Sequence, residues 1–393
     1  MIATVLLTVL AAAPEVSLEQ AIALALQHNA ELTVTRAEVE VARASVPLAH
    51  DWEMPKLRAQ INDLENTPTG TFTWYAGLSW RPPNPWEWKH GGDAAEARLL
   101  EARFDLAANS WRVVKEVRLA WLDVSGAAAH ERLAKESVAS RGKLLSVLRR
   151  RLEQGGGTQV EVNLALLGET DARQELLRWQ GSGLKAAQSV AWLVGQPVTP
   201  VPAALADTPP PLPEPAALEK RLDLQPRLEA LRAKVQVTQA QERNLGARRL
   251  PWPEVQVRFR QRRDTPVNND FQLGLTVPLG ITPAPQLEVA RAVTVRAQAQ
   301  LDAEKAQLSA ELQILLSRAE GLRARWLAFE QDYRGALDSH RALQARVLAE
   351  GSLDPTLLLA ADRLAIDLEH KRLEVQLDLA RTLVELDGVA GPP

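Results

Sequence analysis

The sequence contains no cysteine. Disulfides, thiolate nucleophiles, cysteine-ligated metal sites and lipid attached through cysteine are therefore excluded. No apolar run approaches the roughly 18 to 20 residues of a membrane-spanning helix. Charge of one sign is also missing: the net charge of −3 over 393 residues implies no pull toward nucleic acid. Catalytic signatures are absent too. The six histidines, at 28, 50, 90, 130, 340 and 370, show no paired metal-ligand spacing. The "GGGT" stretch at 155–158 lacks the lysine of a phosphate loop, and no Gly-x-Ser-x-Gly elbow occurs. No catalytic residue, metal site or cofactor is expected.

At the N-terminus, "MIATVLLTVLAAAPEVS" has a short apolar core followed by Ala11-x-Ala13. Residues 1–13 read as a secretory signal peptide, although no Lys or Arg precedes the apolar run. A short buried N-terminal helix fits the same residues.

The rest of the chain is written twice. "ELTVTRAEVEVARA" (31–44) aligns with "RLEALRAKVQVTQA" (227–240) at an offset of 196. "PKLRAQIND" (55–63) aligns with "PEVQVRFRQ" (253–261) at 198, and Gly155, Gly195 and Pro197 recur as Gly351, Gly391 and Pro393. Offsets held in order along both halves indicate a duplicated unit. The expected organisation is a first repeat at 14–197, a linker at 198–215 and a second repeat at 216–393. The stretch 195–215 carries eight prolines, which excludes helix and favours an extended surface segment.

Each half reads helix, hairpin, very long helix, turn, helix. The predicted spans are a short helix pair at 17–48, hairpin at 55–80, then helix at 93–154 and 158–194. Helix 216–247, hairpin 253–279 and helices 286–350 and 355–387 follow. Ser17 with Gln20 forms a capping-box pattern. The long helices carry apolar residues every seventh position: Leu99, Leu106, Val113, Ala120, Ala127 and Ala134 in one half, and Leu301, Leu308, Leu315, Leu322 and Phe329 in the other. Such rows pack helix against helix as coiled coil.

The hairpins alternate with period two. Phe72, Trp74, Leu78 and Trp80 share one face, as do Phe271, Leu273, Leu275 and Val277. Val255, Val257 and Phe259 oppose Arg258, Arg260 and Arg262. Strands of about 8 to 10 residues with apolar and polar faces match membrane-crossing β-strands. Trp52, Trp74, Trp80, Trp86, Trp88 and Trp252 lie in or beside them, and Trp favours membrane–water interfaces. A four-stranded sheet packed on helices fits the same alternation. The heptads already commit the helices to one another, which leaves the apolar strand face for lipid. Four strands cannot close a barrel, whose minimum is about eight, so membrane strands would require several copies.

Taken together, "VSLEQAIALALQHNAEL", the paired hairpins and the two tips "RRLEQGGGTQVEVNLA" and "RVLAEGSLDPTLLLAA" resemble the TolC-type outer membrane efflux protein family, from Val16 to Gly391. The resemblance implies a mainly α fold with two β-hairpins. The duplicated helix–hairpin–helix–helix repeat would form a trimeric twelve-stranded outer-membrane β-barrel and a long periplasmic α-helical barrel. It implies a homotrimer in outer membrane lipid that works with a periplasmic adaptor protein and an inner-membrane pump. The function implied is a passive exit duct for small molecules or metal ions. The alternative is a soluble periplasmic coiled-coil scaffold whose hairpins bind a partner.

By the same resemblance, the turns at Gly155, Gly156, Gly157, Thr158 and Glu161 and at Gly351, Ser352 and Asp354 are the periplasmic tips where an adaptor docks. Acidic gate positions of some members fall on Leu357 and Ala360, both apolar here. Read from the residues alone, the tips are helix-hairpin turns with glycine supplying left-handed geometry. Arg258, Arg260 and Arg262 would face a lumen as a basic band, or be a solvated strand face. The Arg149–Arg151 run reads as a solvated helix end.

Overall fold

The computed structural model describes residues 14–51, 53–62, 73–248, 252–262, 268–277, 284–339, 342 and 355–392. The elements, in chain order, are β1 (Glu15–Val16), α1 (Leu18–His28), α2 (Ala30–Leu48), β2 (Lys56–Asn62), β3 (Thr73–Trp80), α3 (Pro85–Glu153) and α4 (Gln159–Val194). They continue with β4 (Thr199–Pro200), α5 (Pro215–Asp223), α6 (Pro226–Ala247), β5 (Glu254–Arg262), β6 (Asn268–Thr276), α7 (Ala284–Asp332) and α8 (Pro355–Ala390). The chain divides into two compact units. One comprises Met1–Val34, Ala108–Gln225 and Ala306–Pro393; the other comprises Thr35–Ala107 and Pro226–Lys305.

The first unit is helical. Ser17 and Gln20 make the expected capping box on α1, Ser17 N–H donating to Gln20 Oε1 at 2.9 Å and Gln20 N–H to Ser17 Oγ at 3.4 Å. The chain bends at Asn29, which is buried and donates through Nδ2 to the Leu193 carbonyl at 2.9 Å. Its Oδ1 accepts from Glu31 N–H and Leu32 N–H and starts α2. Gly195 closes α4 at φ +78°, and Gly391 follows α8 at φ +93°. Gly195 sits so close to α1 that an added Cβ would lie 2.6 Å from the His28 carbonyl oxygen. Glycine serves there both for its left-handed backbone and for its bare Cα.

The heptad rows are the core of this unit. Val113, Val117, Ala120, Val124, Ala127 and Ala134 of α3 are buried, as are Leu308, Leu312, Leu315, Ala319 and Trp326 of α7. Leu144, Leu145 and Leu148 pack with Val162 and Ala165 of α4, and Ala319 and Trp326 pack with Val375 and Leu379 of α8. The proline-rich stretch is more than a spacer. Thr199–Pro200 pairs in parallel with Glu15–Val16, Ala203 N–H donates to Ser125 Oγ at 3.1 Å, and Leu212 packs on the α7–α8 cluster.

Three expected boundaries move. α3 begins at Pro85 rather than 93, because Asn84 caps it: Asn84 Oδ1 accepts from Trp86 N–H at 3.1 Å, and Pro85 stands at the first helical position. The helix expected over 216–247 is two, α5 and α6, parted at Leu224–Gln225 ahead of Pro226. The helix expected over 286–350 stops at Asp332. Tyr333 forms a turn before residues 334–339 resume as helix, and its hydroxyl donates to the Ala365 carbonyl at 2.8 Å. Gly335 lowers helix propensity just beyond the break.

The second unit holds a four-stranded antiparallel sheet in the order β2-β3-β5-β6. No helix among the described residues is long and apolar enough to cross a membrane.

Candidate functional site

Strand register gives the sheet two chemically distinct faces. Leu57, Leu78, Val257 and Leu273 form one cross-strand row, and Ala59, Ala76, Phe259 and Phe271 the next. Residues paired across antiparallel strands share a face, so all four strands present one apolar surface. It is open to solvent in the isolated chain: Phe271 and Leu273 are each 80% exposed and Leu57 78%. Trp74 and Trp80 lie on it, Trp74 Nε1–H donating to Gln261 Oε1 at 2.6 Å. Leu275 is exposed on β6, and Val277 lies one residue past the end of that strand. Phe72 lies outside the described residues, as do Trp52 and the tip of the first hairpin.

The other face is polar. One row reads Arg58, Gly77, Arg258, Gln272, and the next reads Gln60, Tyr75, Arg260, Asp270. The three arginines named from sequence are not equivalent. Arg260 makes a forked ion pair with Asp270, its Nε–H 2.8 Å from Oδ1, whereas Arg258 donates to the neutral Gln256 Oε1. Arg262 occupies the end of β5, paired in register with Asn268. Arg58 was not singled out from sequence, because its strand is short of arginines and its cross-strand row is visible only once β3 and β5 pair.

Aromatic residues gather where the strands meet the helices. Trp86 packs edge-on to Trp252 with ring centroids 6.2 Å apart, and Trp252 Nε1–H donates to the Pro82 carbonyl at 2.6 Å. Trp88 meets His50 edge-on at 4.6 Å.

In the helical unit, the α3–α4 turn has the expected geometry. Gly155 adopts φ +74°, its N–H donates to the Leu152 carbonyl at 3.0 Å, and Gly156 N–H donates to the Arg151 carbonyl at 3.0 Å. Arg151 Nε–H returns to the Gly156 carbonyl at 2.8 Å. Thr158 caps α4 reciprocally with Glu161: Thr158 N–H reaches Glu161 Oε2 at 3.0 Å and Glu161 N–H reaches Thr158 Oγ1 at 3.3 Å. Glu161 therefore has a structural task. Just beyond, Val160, Leu164 and Leu167 are exposed at helical spacing on one face. Gly351, Ser352 and Asp354 lie outside the described residues; Ala360 is exposed on α8.

Two polar clusters in this unit escaped sequence reasoning, because each joins residues hundreds of positions apart. Arg141 of α3 is buried; its Nη1–H donates to the Gly168 carbonyl at 2.8 Å and to Asp171 at 3.3 Å, and its Nε lies 3.7 Å from buried Asp362. His130 of α3 faces His370 of α8 through their Nδ1 atoms. The His130 ring stacks on Trp179 of α4 at 4.0 Å. Burial pushes His130 down to about 4, helped by neighbouring His370, Arg178 and Arg381. Burial also lowers His370, against the opposing pull of Glu175, Asp367 and Glu374.

Residues 21–196 match the model of the outer membrane efflux protein family. Several of the solved structures the chain resembles are outer membrane channels. Among solved structures, CusC superposes with a TM-score of 0.79 at 17% identity, covering 96% of this chain and 92% of that one. The Campylobacter jejuni CmeC outer membrane channel gives 0.75 at 14%, covering 95% and 85%. The outer membrane protein VceC from Vibrio cholerae gives 0.71 at 19%, covering 93% and 95%. At these identities the likeness establishes the fold. No curated protein matches the sequence.

Proposed function

We propose that three copies of this chain form an exit duct across the outer membrane. Each would contribute its four strands to a twelve-stranded barrel and its paired repeats to a periplasmic helical tube. The observation that carries the reading is the sheet itself. It has one apolar face exposed along all four strands, one polar face, and β2 and β6 as outermost strands. Open strand edges are not tolerated in lipid, and four strands are too few to close. Repetition of the chain meets both constraints.

In this arrangement Leu57, Trp74, Leu78, Trp80, Phe271, Leu273 and Leu275 meet lipid, with Val277 at the end of that surface. The Trp86, Trp88 and Trp252 group marks the periplasmic interface, as amphipathic rings prefer. The polar face with Arg58, Arg258 and Arg260 lines the conduit. The tip from Gly155 to Glu161, with the exposed Val160–Leu164–Leu167 strip, receives a periplasmic adaptor that couples the duct to an inner-membrane pump. The second tip, with Gly351, Ser352 and Asp354, does the same. Cargo consists of small molecules or metal ions moving from periplasm to exterior. Apolar Leu357 and Ala360 make an acidic ring at the aperture an unsuitable gate for this chain.

Cell fractionation with crosslinking tests the reading. A trimer in the outer membrane is expected. A soluble, elongated, periplasmic species would instead return the chain to the scaffold alternative, with the hairpins as a partner-binding device.

A further inference from the structure

The row Arg58–Gly77–Arg258–Gln272 runs across all four strands on the polar face. Gly77 leaves a gap between two guanidinium groups. The gap is obligatory: a Cβ on Gly77 would lie 2.6 Å from the Val257 carbonyl oxygen and 3.0 Å from Arg258 Cγ. Over it opens a cavity of about 400 Å³, whose lining includes Arg58, Gln60, Tyr75, Gln256, Arg258 and Gln272.

Charge in the cavity is not balanced. Asp270 is occupied by Arg260. Among the described residues neither Arg58 nor Arg258 has a carboxylate partner, and both are exposed. Their strands are two apart, so their Cα atoms are about 10 Å from each other. Each side chain can therefore lean over the glycine from its own side. Guanidinium forks bind carboxylate and phosphate oxygens in pairs. The Gln and Tyr side chains around them add neutral donors.

We propose that Arg58 and Arg258, facing one another across Gly77, form a binding notch for a soluble polyvalent oxyanion, a polyphosphate or polycarboxylate. The notch selects anionic cargo on the duct wall. It rests on the reading of the polar face as that wall. Arg260 is outside the pair because Asp270 neutralises it.

The test is calorimetric titration of the full-length protein in maltoside micelles with tripolyphosphate. Saturable binding is expected, weakened at least tenfold in the Arg58→Gln/Arg258→Gln variant. Arg132→Gln removes one positive charge, as each single variant does, from an exposed position on α3 in the other unit and is expected to change affinity less than twofold. Three results would overturn the notch: no saturable binding, unchanged affinity in the double variant, or equal loss with Arg132→Gln. If the double variant fails to fold, each single variant, with circular dichroism matching the wild type, is expected to lose severalfold. Unchanged single variants again overturn it. Phosphatidylglycerol in the micelles should leave the titration unaltered; abolition would assign the site to lipid headgroups and overturn the proposal. Planar-bilayer recordings separate the two readings. Binding of the probe by a protein that forms no pore supports the notch and removes the duct.

Discussion

The Nδ1 atoms of His130 and His370 lie 2.7 Å apart, so a single proton between them makes one ring the donor and the other the acceptor. A second proton would set two N–H groups against each other. The neighbouring charges come from α4 and α8: Glu175 and Arg178 on the first, Asp367, Glu374 and Arg381 on the second. Folded, the pair binds fewer protons than in the unfolded chain, because His130 is held near 4 instead of 6.5. Stability from the pair is therefore complete above about pH 6.5. It declines as the unfolded histidines take up protons, and is lost by about pH 4. The expected loss for the folded chain is about 2 kcal/mol after allowance for solvent at the edge of the pair. Thermal midpoints at pH 7.5, 5.5 and 4.5 check it: the wild type should lose more than His130→Phe/His370→Phe, which keeps the stack on Trp179. Parallel losses in the two proteins would remove the histidines from the account.

Arg141 and Asp362 are 8% and 9% exposed, whereas Asp171 is 58% exposed. Arg141→Met should cost about 3 to 5 kcal/mol, since the buried Asp362 carboxylate loses the guanidinium beside it. Arg141→Met/Asp362→Leu should recover most of that. Asp171→Asn should cost under about 1 kcal/mol. Chemical denaturation of the three variants orders them.

Gly195→Ala should destabilise by about 2 kcal/mol or more. It combines a left-handed backbone with a Cβ 2.6 Å from the His28 carbonyl oxygen. Gly181→Ala has nothing within 4 Å of the new methyl and lies inside α4, so it should stabilise by about 0.5 to 1 kcal/mol. Opposite shifts in thermal midpoint are the expected reading.

Leu78→Arg and Leu273→Arg place a charge on the apolar face of the sheet, where lipid at mid-depth would impose about 2 to 4 kcal/mol per chain. Both should cut outer-membrane trimer yield sharply. Gln272→Arg, one residue away on the polar face, should be tolerated. Normal yield from Leu273→Arg would mean that this face does not meet lipid.

Local patterns told most about the fold. The capping box at Ser17 and the left-handed glycine at 155 are short-range physics, and they stand where the sequence places them. Alternation in the hairpins specified both faces of the sheet. The start of α3 lies upstream of the expected residue 93 because the Asn84–Pro85 cap begins the helix there. The candidate site was less legible. Arg58 and Arg258 become neighbours only through β3 between them, and His130 meets His370 across 240 positions. No window of sequence contains either pair. Arg260 looked like its neighbours until register set Asp270 against it.

The parallel pairing of Glu15–Val16 with Thr199–Pro200 shifts where the chain can be divided. Sequence alone draws the boundary at 197, which would strand one partner of the bridge on each fragment. A cut between Ala206 and Asp207 leaves the bridge and the Ala203–Ser125 hydrogen bond within the N-terminal piece. That junction is the natural one for a split protein reassembled from two separately expressed chains.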